Sequence, residues 1–373
     1  MYWKTINCCS CEANKYGNQC MKYLLNIATV MGAALFFEWT FAGETKVRQS
    51  LTEPDYVQSE TIEQISPTYP KSRARLRHGG LVEILYMVDK HGKPYDLLVT
   101  SSTHEDFEAQ ALQALSKYVY KPATNRGVAV DSSRRLVIKF QMENAVSKVT
   151  RDFQRLYRRS EKAIASKEKN QAKVRKLINR LKETPYLSSY AWAYIHLIEW
   201  DYAKKFGSPK EQLFALERVL LFEKQAGEKG RFLEDDQRIG IFHALLSERL
   251  ESGALSEAFD IYEDLKQEYP GSEKPFESYV LKAQKIVESG KPFLTKIDTS
   301  VRGFDLIDLL GHTFYFQDIE GSIDQIKVRC QAKSATLPFS LTNEYKVPLS
   351  WGECSIQIDG REGTKASLVQ LSD

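Results

Sequence analysis

Leu81-Val82-Glu83-Ile84-Leu85-Tyr86-Met87-Val88, followed at once by Asp89-Lys90-His91-Gly92, decides the fold of the front of the chain. The run is apolar on both faces and dense in β-branched and aromatic side chains, the pattern of a strand buried on two sides. Asp-x-x-Gly behind it is turn chemistry, with Gly92 supplying the positive φ of a tight hairpin. Tyr95 to Thr100 is then the returning arm. Phe107, Ala111, Leu112 and Leu115 recur at helical spacing behind cap candidates between Ser102 and Asp106, so a helix is predicted over about Glu105 to Lys117. Pro122 stops any helix, Gly127 marks a bend, and Leu136 to Met142 is a last strand. Strand, hairpin, helix and strand make a small α+β module.

Working outward, Pro67-Thr68-Tyr69-Pro70 opens a series that continues through Gly80, Asp89-Lys90-His91-Gly92, Phe107, Tyr118-Val119-Tyr120-Lys121-Pro122-Ala123 and Gly127 to Phe140. In order and spacing, residues 65–143 resemble the C-terminal domain of the TonB family. Pro67, Tyr69, Pro70, Gly80, Gly92, Pro122 and Gly127 carry the resemblance, and each has a structural role; Gly80, for instance, is expected to let the chain leave a short basic helix and enter a strand. The resemblance implies that the last strand is an edge able to take up an extended peptide from an outer-membrane receptor. The residues concerned are Arg134, Arg135, Leu136, Val137, Ile138, Lys139 and Phe140. Edge addition has a physical basis, because unpaired N–H and C=O groups form a template. The opposite reading is equally physical: Arg134, Arg135 and Lys139 are edge charges that prevent pairing. Two departures set the chain apart from a proton-driven transducer of that family. Tyr23 to Phe41 contains no histidine, and the segment from Gly43 to Ser66 has Pro54 in place of a long proline-rich spacer.

Before the module, Lys22 and an apolar run from Tyr23 to Phe37 lead to Thr40-Phe41-Ala42, the layout of a secretory signal peptide over 21–42. The alternative is an uncleaved inner-membrane anchor, for which Asn26 and Glu38 are poor residues. Both place the chain in the periplasm. Residues 1–20 hold Cys8, Cys9, Cys11 and Cys20 but offer no second ligand pair or core for zinc, and are expected to be untranslated or lost. Residues 43–64 are polar, without a period, and are expected to form a linker.

From 144 to 290 strand signals give way to helical periodicity, broken at Thr184-Pro185, Gly207-Ser208-Pro209, Gly227 to Gly230, Gly253 and Pro270-Gly271. Helices of about 15 to 20 residues packed as antiparallel pairs follow from that spacing. Phe242, Leu245, Gly253, Ala258, Tyr262 and Pro270 resemble the tetratricopeptide repeat, with Phe276 placed where a next unit begins. Such stacks present a groove for a protein or peptide. Residues 148 to 182 carry 13 Lys or Arg against 3 Asp or Glu. That run is either a solvated helical face or a contact for an acidic partner such as phospholipid head groups.

After Lys291-Pro292 short apolar runs alternate with turn residues, so 291–373 is a small all-β domain. Cys330 and Cys354, the cysteines left to an exported chain, are expected to pair in an oxidising compartment, with two buried thiols as the alternative.

A length of 373 residues suits two or three domains, and a formal charge of +3 is too close to neutral to imply nucleic acid by itself. No nucleophile elbow, phosphate loop or paired zinc motif occurs. His196 and Glu199, three apart on a helix, are expected to be hydrogen-bonded to each other rather than to a metal. The expectation is a multidomain α+β adapter without catalysis, cofactor or metal, whose partners are envelope proteins: outer-membrane receptor peptides or inner-membrane motor components. A structural or assembly scaffold that binds through the helical groove is the alternative.

Overall fold

The computed structural model describes residues 55–142, 149–167, 170–226, 233–361 and 363–371. The expected leader at 21–42, its expected boundary at Gly43 and the four early cysteines lie outside the described residues.

The first module runs β1 (Tyr56–Val57), β2 (Glu60–Glu63), α1 (Lys71–Leu76), β3 (Gly80–Val88), β4 (Pro94–Ser102), α2 (Glu105–Leu115), β5 (Val119–Lys121), β6 (Ala123–Asn125), β7 (Val128–Val130) and β8 (Ser132–Phe140). Its main sheet has the order β4-β3-β8, all antiparallel, with Gly80 opposite Phe140 and Val88 opposite Ser132. One face buries Val82, Ile84, Tyr86 and Val88 against Phe107, Ala111 and Leu115 of α2. Phe107 is fully buried, and a side chain of that size contributes roughly 2 kcal/mol on transfer from water. His104 caps α2, its Nδ1 accepting from Asp106 N at 3.1 Å.

Three expectations need correction. Residues 56–63 are no linker: β1 pairs with β6 and β2 with β5, because the extended arm covers strand edges that would otherwise be open. The last strand begins at Ser132, earlier than its apolar run, and ends at Phe140, because ladder pairing with β3 sets its length. Gly80 serves close approach instead of a helix exit. A Cβ there would lie 2.4 Å from Thr103 Oγ1 and 2.5 Å from the Phe107 ring, while Arg77, at φ 53°, makes the turn after α1. Gly92 does take a positive φ of 79°, and a Cβ there would strike Tyr120 O at 1.9 Å. Pro122 sits between β5 and β6, where the chain changes partner and needs no donor.

The middle region holds α3 (Arg151–Ala165), α4 (Gln171–Lys182), α5 (Ser189–Phe206), α6 (Pro209–Ala226), α7 (Asp235–Ser252), α8 (Leu255–Glu268) and α9 (Lys274–Glu288). The five predicted breaks separate helices, but α3 ends at Ala165 and α4 starts at Gln171 where no break is predicted, so the helices run 12 to 18 residues and not 15 to 20. Thr150, Asn170 and Ser188 cap α3, α4 and α5 through their side chains, each accepting a backbone N–H. Ala258, Tyr262 and Phe276 are buried with Leu246 where α7, α8 and α9 meet, whereas Leu245 packs with Leu213, Leu216 and Val219 of α6; Phe242 is buried as well.

The tail is a sandwich of two four-stranded antiparallel sheets. One has the order β10-β15-β12-β13, with β10 Phe304–Asp308, β12 Ile323–Cys330, β13 Ser334–Leu337 and β15 Cys354–Gly360. The other has the order β14-β11-β16-β9, with β9 Phe293–Asp298, β11 Thr313–Glu320, β14 Tyr345–Lys346 and β16 Lys365–Leu371. Inner residues of both, among them Ile307, Phe314, Ile326, Ile356 and Leu368, form one core. β14 stops at Lys346, since Pro348 supplies no donor and Leu349–Trp351 forms a 3-10 turn. Cys330 and Cys354 face each other across β12 and β15 and are disulfide-bonded.

The three parts share surfaces. Leu81 of β3 belongs to the core formed by α3, α4 and α5. Trp192 Nε1 donates to Gly79 O at 2.9 Å, and Gly79 N donates to Leu187 O at 2.6 Å.

Candidate functional site

The seven residues singled out from Arg134 to Phe140 all lie in β8, and the pleat divides them between two environments. Leu136, Ile138 and Phe140 face the core under α2, with Arg134 on the same side. The Arg134 guanidinium stands 5.4 Å over the Tyr120 ring and donates to Ser59 O in the arm. Ser132 Oγ donates to Ser59 Oγ at 2.9 Å, so the arm crosses the start of the strand. On the other side Val137 packs against the helical core, and Arg135 Nη1 reaches Glu83 Oε1 at 3.5 Å. Burial lowers the Lys139 pKa.

The charges expected to guard this edge therefore point along the faces of the strand and engage the module itself. The backbone is different. β8 pairs with β3 on one side and, among the described residues, with no other strand, so it ends its sheet. An extended segment laid beside it would find alternating donors and acceptors.

The opposite edge strand is occupied by side chains from the rest of the chain. Arg218 Nη2 of α6 donates to Ser102 O at 2.6 Å, and Arg302 Nη1 of the tail donates to Thr100 O at 2.7 Å. Asp96 accepts from Lys327 Nζ at 2.7 Å and Arg329 Nη2 at 3.0 Å, and those cations hold its carboxyl below the usual range although burial alone would raise it. These anchoring residues carry no sequence signal. Each lies more than one hundred positions from its partner on β4.

The motif residues hold the module together and do not line the edge. Tyr69 donates through its hydroxyl to His78 O and stands edge-on to Phe107 and Phe140, both at 5.9 Å. Pro70 caps α1. Arg126 and Gly127, both at positive φ, make the tight turn from β6 to β7, as an Asn-x-Gly sequence allows. Pro67 is partly buried in the loop before α1.

His196 is fully buried in α5, and its Nδ1–H donates to Glu199 Oε2 at 2.6 Å. Burial, with Arg218 nearby, pushes the imidazole pKa down to about 4, so it is neutral at pH 7. Burial would raise the Glu199 carboxyl, but Lys182, at 2.5 Å, and His196 hold it well below the usual carboxylate range. The Lys182–Glu199 ion pair ties α4 to α5. No cluster of three or more His, Cys, Asp or Glu able to hold a metal occurs among the described residues.

Residues 65–142 match the family model described as Gram-negative bacterial TonB protein C-terminal. Among solved structures, the solution NMR structure of the Pseudomonas aeruginosa TonB CTD is similar at 21% identity, covering 25% of this chain and 93% of that one, with a TM-score of 0.21. No curated protein matches the chain. At residues 65–142 the chain thus carries a module that its sequence identifies with the TonB C-terminal family.

Proposed function

We propose that this protein is a periplasmic adapter of the cell envelope that takes up an extended segment of a partner protein along β8. The observation that carries this reading is the one-sided pairing of β8 in a TonB C-terminal module. The partner chemistry that fits is main-chain recognition of an extended peptide, as in the N-terminal segments of outer-membrane receptors. The role is binding, without catalysis and without a cofactor. Proton-motive coupling is not part of the proposal, since Tyr23 to Phe41 lacks a histidine.

A second reading has its own observation. The face of the sheet away from α2 is joined to the other two parts through Asp96, Ser102 and Leu81, which suits a rigid scaffold whose helical middle, with its tetratricopeptide-like pair α7 and α8, does the binding.

The test replaces Arg135 with a photo-crosslinking residue and titrates the protein with synthetic receptor-type peptides. Cross-links from position 135 that vanish when proline blocks the free side of β8 support edge addition. Peptide capture that ignores the proline, or cross-links only from α7 and α8, refutes it in favour of the scaffold.

A further inference from the structure

The basic helices α3 and α4 are not an isolated run. The loop that follows α4 docks on α1 of the first module: Tyr186 N donates to Leu76 O at 2.9 Å, and the His78 Nε2–H donates to Thr184 O at 2.8 Å. This joins Arg75 and Arg77, exposed on and just after α1, to Arg155, Lys176 and Arg180, exposed along α3 and α4, although about one hundred residues separate them in sequence. An open groove of about 730 Å³ runs between the two long helices, with Arg155, Lys176 and Arg180 on its walls and Glu183-Thr184-Pro185 at its end. Its carboxylates are Asp152, which pairs with Arg155 at 3.2 Å, and Glu183, 4.0 Å from Arg73.

At the junction stands Tyr186. It is 48% exposed and its φ is +68°, a left-handed backbone that a bulky residue adopts only when its surroundings impose it. The Leu76 hydrogen bond imposes it here, and the ring is held outward with the Arg77 guanidinium 5.3 Å over its face. An amphipathic ring amid a field of cations is the arrangement that suits a lipid–water boundary, where aromatic bodies settle at the head groups and Lys and Arg meet their phosphates.

We propose that this surface, formed by α1, α3, α4 and Tyr186, rests on an anionic phospholipid membrane. The cations are spread over three helices beside a protruding ring and do not converge on one point. That spread matches a sheet of head groups better than a single phosphate. The proposal is independent of peptide addition at β8, and neither test bears on the other.

Co-sedimentation of the full chain with vesicles of phosphatidylcholine alone, or mixed with phosphatidylglycerol, tests it. The apolar run at Tyr23 to Phe37 is common to every variant and both vesicles, so the ratio of the two partition coefficients is the readout. Each cation near a charged surface is worth about 5-fold, so Arg155→Gln with Lys176→Gln and Arg180→Gln should lower that ratio on the order of 100-fold. Tyr186→Ala should lower binding to the mixed vesicles while leaving the salt dependence unchanged. Lys274→Gln with Lys282→Gln and Lys285→Gln removes the same charge from α9 and should leave the ratio near wild type. Equal losses from both triple variants, or no preference for the mixed vesicles, overturn the proposal. Competition by inorganic phosphate or polyglutamate as effective as that by phosphatidylglycerol vesicles also overturns it, since the surface would then take any anion. Unchanged thermal melting of the variants shows that the loss is one of binding.

Discussion

Replacing Glu257 by glutamine should make the protein more stable at pH 8 and leave it unchanged at pH 4. Glu257 lies in the first turn of α8, where the helices meet the tail. Its Oε1 accepts weakly from Asp308 N at 3.5 Å, and its buried Oε2 has no hydrogen-bond partner. Arg249 faces it and favours the charged form, but burial and the carboxylate of Asp308 outweigh that attraction. The pKa rises from its ordinary 4.5 up to about 7. The folded chain therefore holds a proton that the unfolded chain has released. Its stabilising effect is complete below about pH 4.5 and is lost as pH rises through about 7. At about 1.4 kcal/mol for each tenfold change, the effect is on the order of 2 kcal/mol. For a chain of this size that is a rise of about 3 to 5 °C in the melting temperature of Glu257→Gln at pH 8. Thermal melts of the two proteins from pH 4 to 8 measure it, the curves converging at the acid end. Parallel curves across that range, or a variant less stable at pH 8, would falsify the assignment of a protonated, poorly solvated carboxyl to this seam.

Gly253→Ala should cost more than 2 kcal/mol, because φ is +76° and the new Cβ would lie 1.8 Å from Leu294 O; calorimetry should show the tail loosening from α7, and an unaltered melt contradicts that close approach. Reducing the Cys330–Cys354 bond, which closes a separation of 24 residues, should cost about 3 kcal/mol, read as a lower melting temperature with reductant, and thiol labelling of the unreduced unfolded chain should find neither cysteine free. Adjacent residues of β8 aim their N–H groups at opposite edges, so of Leu136→Pro and Val137→Pro one should break the β3 ladder and lower stability by about 3 kcal/mol or more. The other should spare the fold and abolish peptide uptake; two equally damaged folds would show that β8 has no free side. N-terminal sequencing of protein from fractionated cells should begin at Gly43, and an intact membrane-embedded chain would exclude cleavage there.

The first module was legible because its signals are local. The two-sided apolar strand from Leu81 to Val88, the positive φ of Gly92 and the helical spacing of Phe107, Ala111 and Leu115 each depend on a few neighbouring residues, which constrain the backbone directly. The middle helices and their breaks were legible for the same reason, as were two cysteines fit to pair. Window by window, however, a sequence carries no record of what lies across a packed surface. The arm at 56–63 looked like a linker because its partners β5 and β6 come about sixty residues later. Gly80 reads in the sequence as the exit from a helix, whereas its real constraint is the Phe107 ring. The candidate edge could be named but not judged, because whether a strand is open depends on every element around it. Only the tertiary structure placed Arg218, Arg302, Lys327 and Arg329 on β4 and put β8 at the end of its sheet, paired with no strand but β3 among the described residues. It alone brought the cations of α1 beside those of α3 and α4, and it alone raised Glu257. Desolvation and charge contacts arise from packing between distant parts of the chain, and distance along the chain says nothing about them.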